Sequence, residues 1–386
     1  MQIINQNVNE LKFYTPYNKR NKSIAFSAAP GKFINPHANN QKIELTNSLI
    51  PIIEKGSGFA KGIKNTIKQI FPDINFQLGN VSDLSYTTVN KEMPLVFART
   101  SFKNEKPLTF LYFNFPEIIS IAASKSRKQY EGLTESIADT VALANETHFI
   151  SKVVDKCSSS MSEVNNVSLN VVKNVIEDCL KTFGINIDNV ILDKKEAEKT
   201  YELARKSPNP VTIVNNDRSN VETKLCLIMD STPHELKKAV SHEFTHTLNA
   251  NSVWINGVFK DLWNMDNVPL AQLSYGSNFK DIYESDTDFL KKTVSVRGEA
   301  YEKLLKATLD KVTTKRDKEL VFEQILSNVS DEAFAYSQTP NLFNDYKNRE
   351  IINGQLVEQI PIGLFFIDFY DFLSSMKNND KLYLKL

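Results

Sequence analysis

Ser241-His242-Glu243-Phe244-Thr245-His246 decides how the rest of the 386-residue chain is read. On an α-helix, residues four apart share a face and stand about 6 Å apart along the axis. His242 and His246 then aim two imidazoles at one point. Glu243 lies about 100° further round, within reach of a water at that point. Two imidazole nitrogens suit Zn2+, and one further protein ligand leaves a fourth position open to water, as in a catalytic site. A carboxylate beside that water can act as its general base. The chain has five histidines, His37, His148, His234, His242 and His246. At that frequency chance would produce His-Glu-x-x-His well under about one time in a hundred. The competing reading is a surface helix that carries two unrelated histidines.

The flanks support a helix. Thr232 is placed as N-cap, Pro233 at the first helical position and Glu235 three residues after the cap, a capping box. Leu236, Val240, Phe244 and Leu248 recur every four residues, with Ala239 beside them, which predicts a buried stripe. Upstream, Pro210–Val214 and Glu222–Met229 flank the turn-forming run Asn215-Asn216-Asp217-Arg218-Ser219-Asn220. This pattern predicts a hairpin that feeds the helix, and a strand before the motif helix is the order a zinc hydrolase needs.

A third ligand must come from elsewhere. Thr247-Leu248-Asn249-Ala250-Asn251 follows the motif, and no histidine lies after His246. Cys157, Cys179 and Cys226 all lie upstream, so a downstream ligand must be a carboxylate. Glu332, in Ser330-Asp331-Glu332-Ala333-Phe334-Ala335-Tyr336, is the first candidate. Ser330 there reads as the cap of a short helix and Asp331 as a first-turn acid, and Ala333 and Ala335 permit close approach. Glu299, in Arg297-Gly298-Glu299-Ala300-Tyr301, is the second. Either carboxylate has a plain alternative as a solvated helix-start residue.

His242-Glu243-x-x-His246 with a later helical Glu resembles the zincin metallopeptidases of the gluzincin kind. The Glu332–Tyr336 stretch with Pro340-Asn341-Leu342 is similar to the Glu-bearing helix of the anthrax lethal-factor-type catalytic domain. That pattern usually has a second acid four residues after the ligand, where this chain has Tyr336. The Gly common inside the first motif is Thr245 here. The resemblance spans roughly residues 210 to 345. It implies a zinc-dependent peptidase that hydrolyses peptide bonds of protein substrates, with His242, His246 and Glu332 on Zn2+ and Glu243 as general base. The resemblance also implies oxyanion help from a Tyr or His beyond the ligands; Tyr336, Tyr301, Tyr275 and Tyr283 all fit that role, and Tyr336 is the one carried into the expected catalytic set. Substrate would add as a strand along the edge of the hairpin at 210 to 229. Two other functions fit the same residues. One is a catalytically inactive zincin-fold binding or effector protein. The other is a zinc hydrolase of a non-peptide substrate.

The expected fold class is α+β, with three regions. Residues 1–45, polar and without sustained period, read as a disordered or extended N-terminal arm. Residues 46–184 read as an α+β region of unknown role, and 185–386 as the zincin-like metallopeptidase domain with a mainly helical C-terminal part. In the middle region, Leu95–Thr100 and Leu108–Phe113 predict a hairpin, and Ile74–Leu78 a further strand. Helices are predicted over Pro116–Ser124, from Tyr130 to about Val154, and over Val167–Phe183 with Gly184 as its stop. Ser158–Asn166 reads as a linker. Val190–Leu192 predicts a strand and Lys194–Ser207 a charged helix.

Composition removes other classes. Lys+Arg and Asp+Glu are equal at 46 each, which argues against a nucleic-acid partner. Three scattered cysteines make neither a disulfide framework nor a Cys-x-x-Cys zinc site, and they read as buried thiols in a reducing compartment. Met1–Asn9 has no apolar core of a signal peptide, so the expected location is cytoplasmic, or exported without a Sec-type signal peptide. The most apolar stretch, Ile360–Leu373, carries Asp368 and Asp371 and is too short for a membrane span.

Overall fold

A computed structural model of the chain describes residues 10–14, 33–80, 95–101, 107–186, 191–193, 211–217, 220–227, 233–252, 309–339, 349–352 and 355–358. It also describes short pieces at 302, 305–306, 369–370, 372–373, 376–377 and 382–385. These residues form an α+β protein, mostly helical with small sheets. Backbone contacts divide the chain into two units. The first comprises Met1–Thr87, Lys91–Asn189 and Asn251–Trp254, and the second comprises Thr88–Asn90, Val190–Ala250 and Ile255–Leu386. Among the described residues, no helix is long and apolar enough to cross a membrane.

In the first unit, α1 (Ala38–Glu54) and α2 (Phe59–Ile70) bury Leu45, Leu49 and Ile53, and Phe59, Ile63 and Ile67, each set on one helical face. Gly56 and Gly58 separate them at φ 68° and 72°, values that any residue with a Cβ adopts only at a cost. The stretch expected as an arm therefore holds a strand, β1 (Glu10–Tyr14), and the start of α1. Asn39, Asn40, Gln41 and Lys42 make the opening of α1 polar, which hid its period.

β2 (Phe76–Asn80), β3 (Val96–Ser101) and β4 (Leu108–Phe113) join β1 in one sheet, in the order β1-β3-β4-β2. The β3–β4 pair is the predicted hairpin, with Ser101 opposite Leu108. β2 runs parallel to β4, a nonlocal pairing. α3 (Phe115–Ala123) starts at Asn114, whose side chain accepts from the Glu117 N–H.

α4 (Arg127–Ser162) is longer than expected. Residues 158–162, read as linker, are helical because the buried face continues through Val153, Val154, Cys157 and Met161. α5 (Leu169–Thr182) is capped by Ser168 and stops at Gly184, φ 66°. Its buried residues are Val172, Ile176, Cys179 and Leu180.

Two titratable groups lie deep on α4. Glu146 accepts hydrogen bonds from the Ile34 N–H, the Asn35 N–H (3.2 Å) and the Ser252 hydroxyl (3.1 Å). Burial raises its pKa to about 7 against the opposing pull of those bonds. His148 is buried, and its Nε2 lies 2.9 Å from the Thr109 hydroxyl of β4. Burial, and then the charge of Lys152, lower it to about 4. Glu146 therefore binds a proton on folding between pH 4.5 and 7, so its contribution to stability is lost as pH rises through that window. His148 gives up a proton on folding between about pH 4 and 6.5, so its contribution is lost as pH falls through that window. The two slopes oppose each other where the windows overlap. Glu146→Gln is expected to unmask the acid sensitivity of His148. Relative to the variant, the wild type should lose about 3 kcal/mol between pH 4.5 and 7. Urea midpoints across that range measure it, and parallel curves would refute it.

In the second unit, β5 (Ile191–Asp193), β6 (Val211–Asp217) and β7 (Asn220–Leu227) form a sheet of order β5-β7-β6. β6 and β7 make the predicted hairpin, but they pair as far as Asp217 and Asn220, so much of the expected turn run is strand. β5 runs parallel to β7. The helix expected over Lys194–Ser207 lies outside the described residues. α6 (Pro233–Asn251) is the motif helix, and α7 (Lys315–Gln338) is a second long helix. β8 (Arg349–Ile352) and β9 (Gln355–Glu358) pair antiparallel, with Ile352 opposite Gln355.

A core of Leu305, Leu309, Val321, Phe322, Ile325, Val329, Phe369, Leu373, Met376 and Tyr383 packs along α7. Phe322 and Tyr383 stack at 3.7 Å and 6°. Phe369 is fully buried in this core, and the partly buried Phe372 packs against it.

Candidate metal centre

α6 is more deeply embedded than an amphipathic helix. Every residue from Val240 to Asn249 is buried, polar ones included. Of the predicted stripe, Val240, Phe244 and Leu248 are fully buried. The capping residue Thr232 lies outside the described residues. Buried hydroxyls are satisfied within the helix itself: Thr245 donates to the Ser241 carbonyl (2.8 Å) and Thr247 to that of Glu243 (3.2 Å). His242 and His246 expose only 6% and 3% of their surface, which removes the surface-helix reading.

α7 supplies the other wall. Sequence suggested a short helix capped by Ser330, but the helix begins at Lys315. Thr314 is its cap, accepting from the Asp317 N–H at 3.1 Å. Asp331 and Glu332 therefore sit in the interior of a helix, not in a first turn. The reason is continuity of the buried face through Val321, Phe322, Ile325, Val329, Ala333 and Tyr336. Ala333 and Ala335 are fully buried, in keeping with the small side chains expected there.

His242, His246 and Glu332 converge into one buried group able to hold a metal ion. The Nε2 atoms of His242 and His246 are 3.1 Å apart. His242 Nε2 stands 3.5 Å from Glu332 Oε2, and His246 Nε2 stands 3.4 Å from Glu332 Oε1. Donors bound about 2.0–2.1 Å from a tetrahedral ion lie about 3.3–3.4 Å from one another, close to the separation of the two nitrogens and to that of each nitrogen from its Glu332 oxygen, so one small ion fits within reach of both imidazoles and the carboxylate. Glu332 Oε1 is buried without a hydrogen-bond partner among the described residues. A buried carboxylate oxygen left so is costly unless a cation meets it.

The electrostatics point the same way. Burial works against a charged His246 ring, yet Asp331, then Glu332 and Glu243, raise its pKa to about 10. Three carboxylates around one imidazole make a pocket that favours positive charge.

Around this group, His246 Nδ1 lies 2.8 Å from Asp331 Oδ2. Asn249 donates to Asp331 Oδ1 at 2.6 Å. His242 Nδ1 lies 3.4 Å from the Thr339 hydroxyl, which itself donates to the Ala335 carbonyl at 2.8 Å. The Tyr336 ring packs on His242 with centroids 4.4 Å apart. Glu243 is buried on the turn that carries both histidines.

Of the residues expected from sequence, His242, Glu243, His246, Glu332 and Tyr336 belong to this neighbourhood. Glu299, Tyr301, Tyr275 and Tyr283 lie outside the described residues. Asp331, Asn249 and Thr339 were not anticipated as part of the site. Two signals were present in the sequence: Asn249 shares a helix face with His246 three residues earlier, and Asp331 adjoins the candidate ligand.

No protein-family model matches the chain, and neither the curated proteins nor the solved structures yield a match.

Proposed function

We propose that this chain is a zinc-dependent peptidase that hydrolyses peptide bonds of protein substrates, built on a zincin-like arrangement of α6, α7 and the sheet before them. The observation that carries the reading is the convergence of three buried residues next to Glu243: the His242 and His246 Nε2 atoms stand 3.1 Å apart, each lies 3.4–3.5 Å from one oxygen of Glu332, and Glu332 Oε1 has no hydrogen-bond partner among the described residues. Two nitrogens and one oxygen suit zinc, and three protein ligands leave the open position that catalysis needs. When bound there, zinc would polarise the scissile carbonyl and make the attacking water more acidic. His242, His246 and Glu332 would hold the ion. Glu243 takes the proton from the attacking water and passes it to the leaving amine. Tyr336 donates to the oxyanion, a role supported by its place against a ligand ring.

The test is cleavage of an unstructured protein such as casein by the purified full chain, with and without a zinc chelator. Cleavage that stops on chelation and returns with zinc is the expected result. In the same assay Tyr336→Phe should lower kcat about 10²- to 10³-fold with metal content unchanged. A zinc-loaded chain that leaves casein and peptide libraries intact would refute peptidase activity.

A further inference from the structure

We propose that Asp331 is the positioning residue of the metal centre, locking His246 with Nε2 toward the ion and Nδ1 bearing the proton. The proposal rests on the zinc reading above and extends it to a residue outside the donor set. Neighbouring residues on a helix point about 100° apart, so Asp331 and Glu332 can meet His246 from two sides. Glu332 approaches Nε2 at 3.4 Å, and Asp331 holds Nδ1 at 2.8 Å. A neutral imidazole has one N–H and one lone pair. A carboxylate on Nδ1 fixes the proton there and leaves the lone pair of Nε2 for the metal, which also makes it a stronger ligand.

Asp331 cannot itself turn to the ion without breaking two bonds. Oδ2 is engaged by His246 and Oδ1 by the Asn249 amide at 2.6 Å. Glu332, with one oxygen unpartnered, is free to ligate. Asn249 comes from the same helix as His246, three residues on, so ring and anchor move as one body. Asn249 Oδ1 has no hydrogen-bond partner among the described residues. The Asn249 amide can therefore rotate to accept from a new N–H2 at position 331. Asp331→Asn then keeps both hydrogen bonds and removes only the charge, while Asp331→Ala removes both.

The experiment measures zinc affinity by competition with a chelating fluorophore, together with the visible absorption of the cobalt-substituted chain. Thermal unfolding of the metal-free protein serves as the structural control. Zinc Kd is expected to rise about tenfold in Asp331→Asn and about 100-fold in Asp331→Ala, with the cobalt bands shifted in both. Asp331→Asn should leave metal-free unfolding near that of the wild type. Wild-type zinc binding with unchanged affinity and cobalt spectrum in Asp331→Asn overturns the inference alone, even if the metal-free protein is destabilised. A wild type that binds neither metal overturns the zinc reading and this inference together.

Discussion

Glu332→Ala is expected to abolish stoichiometric zinc binding. Glu332 closes the donor triangle, lying 3.5 and 3.4 Å from the two imidazole nitrogens, and both of those nitrogens belong to α6. Without it the ion keeps two protein ligands on a single helix, short of the three that a catalytic zinc site uses. Affinity should fall by more than about 100-fold, beyond the roughly 10- to 100-fold caused by loss of a residue that only orients a ligand. Peptidase activity should go with it. In the metal-free protein the Glu332 carboxylate faces the charged His246 ring at 3.4 Å, so the alanine also removes an ion-pair partner, and the metal-free variant should unfold more easily than the metal-free wild type. Competition titration and thermal unfolding of the two apo proteins check both halves. Full zinc retention in Glu332→Ala, with loss in Glu299→Ala, would move the ligand to Glu299.

Glu243→Gln is expected to give the opposite pattern, with metal retained and turnover lost. Glu243 stands between the two histidines in sequence and is not one of the three converging donors. Glutamine keeps the shape and hydrogen-bonding capacity of the side chain but cannot take a proton at neutral pH. A positioned general base contributes about 10²- to 10⁴-fold, so kcat should fall by that factor while zinc content stays at the wild-type level. A variant that hydrolyses casein at the wild-type rate would remove Glu243 from the proposed mechanism. The pair of variants separates the roles: one loses the ion and the other loses only the proton transfer.

Local chemistry was the legible part of this chain. His242, Glu243 and His246 were readable because four-residue spacing on a helix is fixed by backbone geometry alone. Glu332 was reached because the chain has no downstream histidine or cysteine, and small neighbours marked a close approach. The β3–β4 and β6–β7 hairpins were readable because turn residues separate strand-forming runs.

Misreadings came where polar residues inside a helix imitate its ends. Ser330-Asp331 has the chemistry of a cap and a first turn, yet the buried face runs straight through it from Val321 to Tyr336. The serines of 158–160 read as a linker for the same reason, although Cys157 and Met161 carry the core face past them. The β8–β9 pair went unread even though Asn353-Gly354, a strong two-residue hairpin signal, lies between the strands. The parallel pairings of β2 with β4 and β5 with β7 join segments far apart in sequence, and no local pattern specifies them. Asp331 went unrecognised as a partner of His246 because its meaning depends on the side α7 turns toward α6, a tertiary fact.

Zinc K-edge absorption of the purified full-length wild type, with the metal quantified on the same sample, tests the central claim most directly. The prediction is one zinc per chain, bound by two imidazoles and oxygen donors, with no sulfur in its shell. A chain that takes up no zinc, or a shell that contains sulfur, would contradict the site formed by His242, His246 and Glu332.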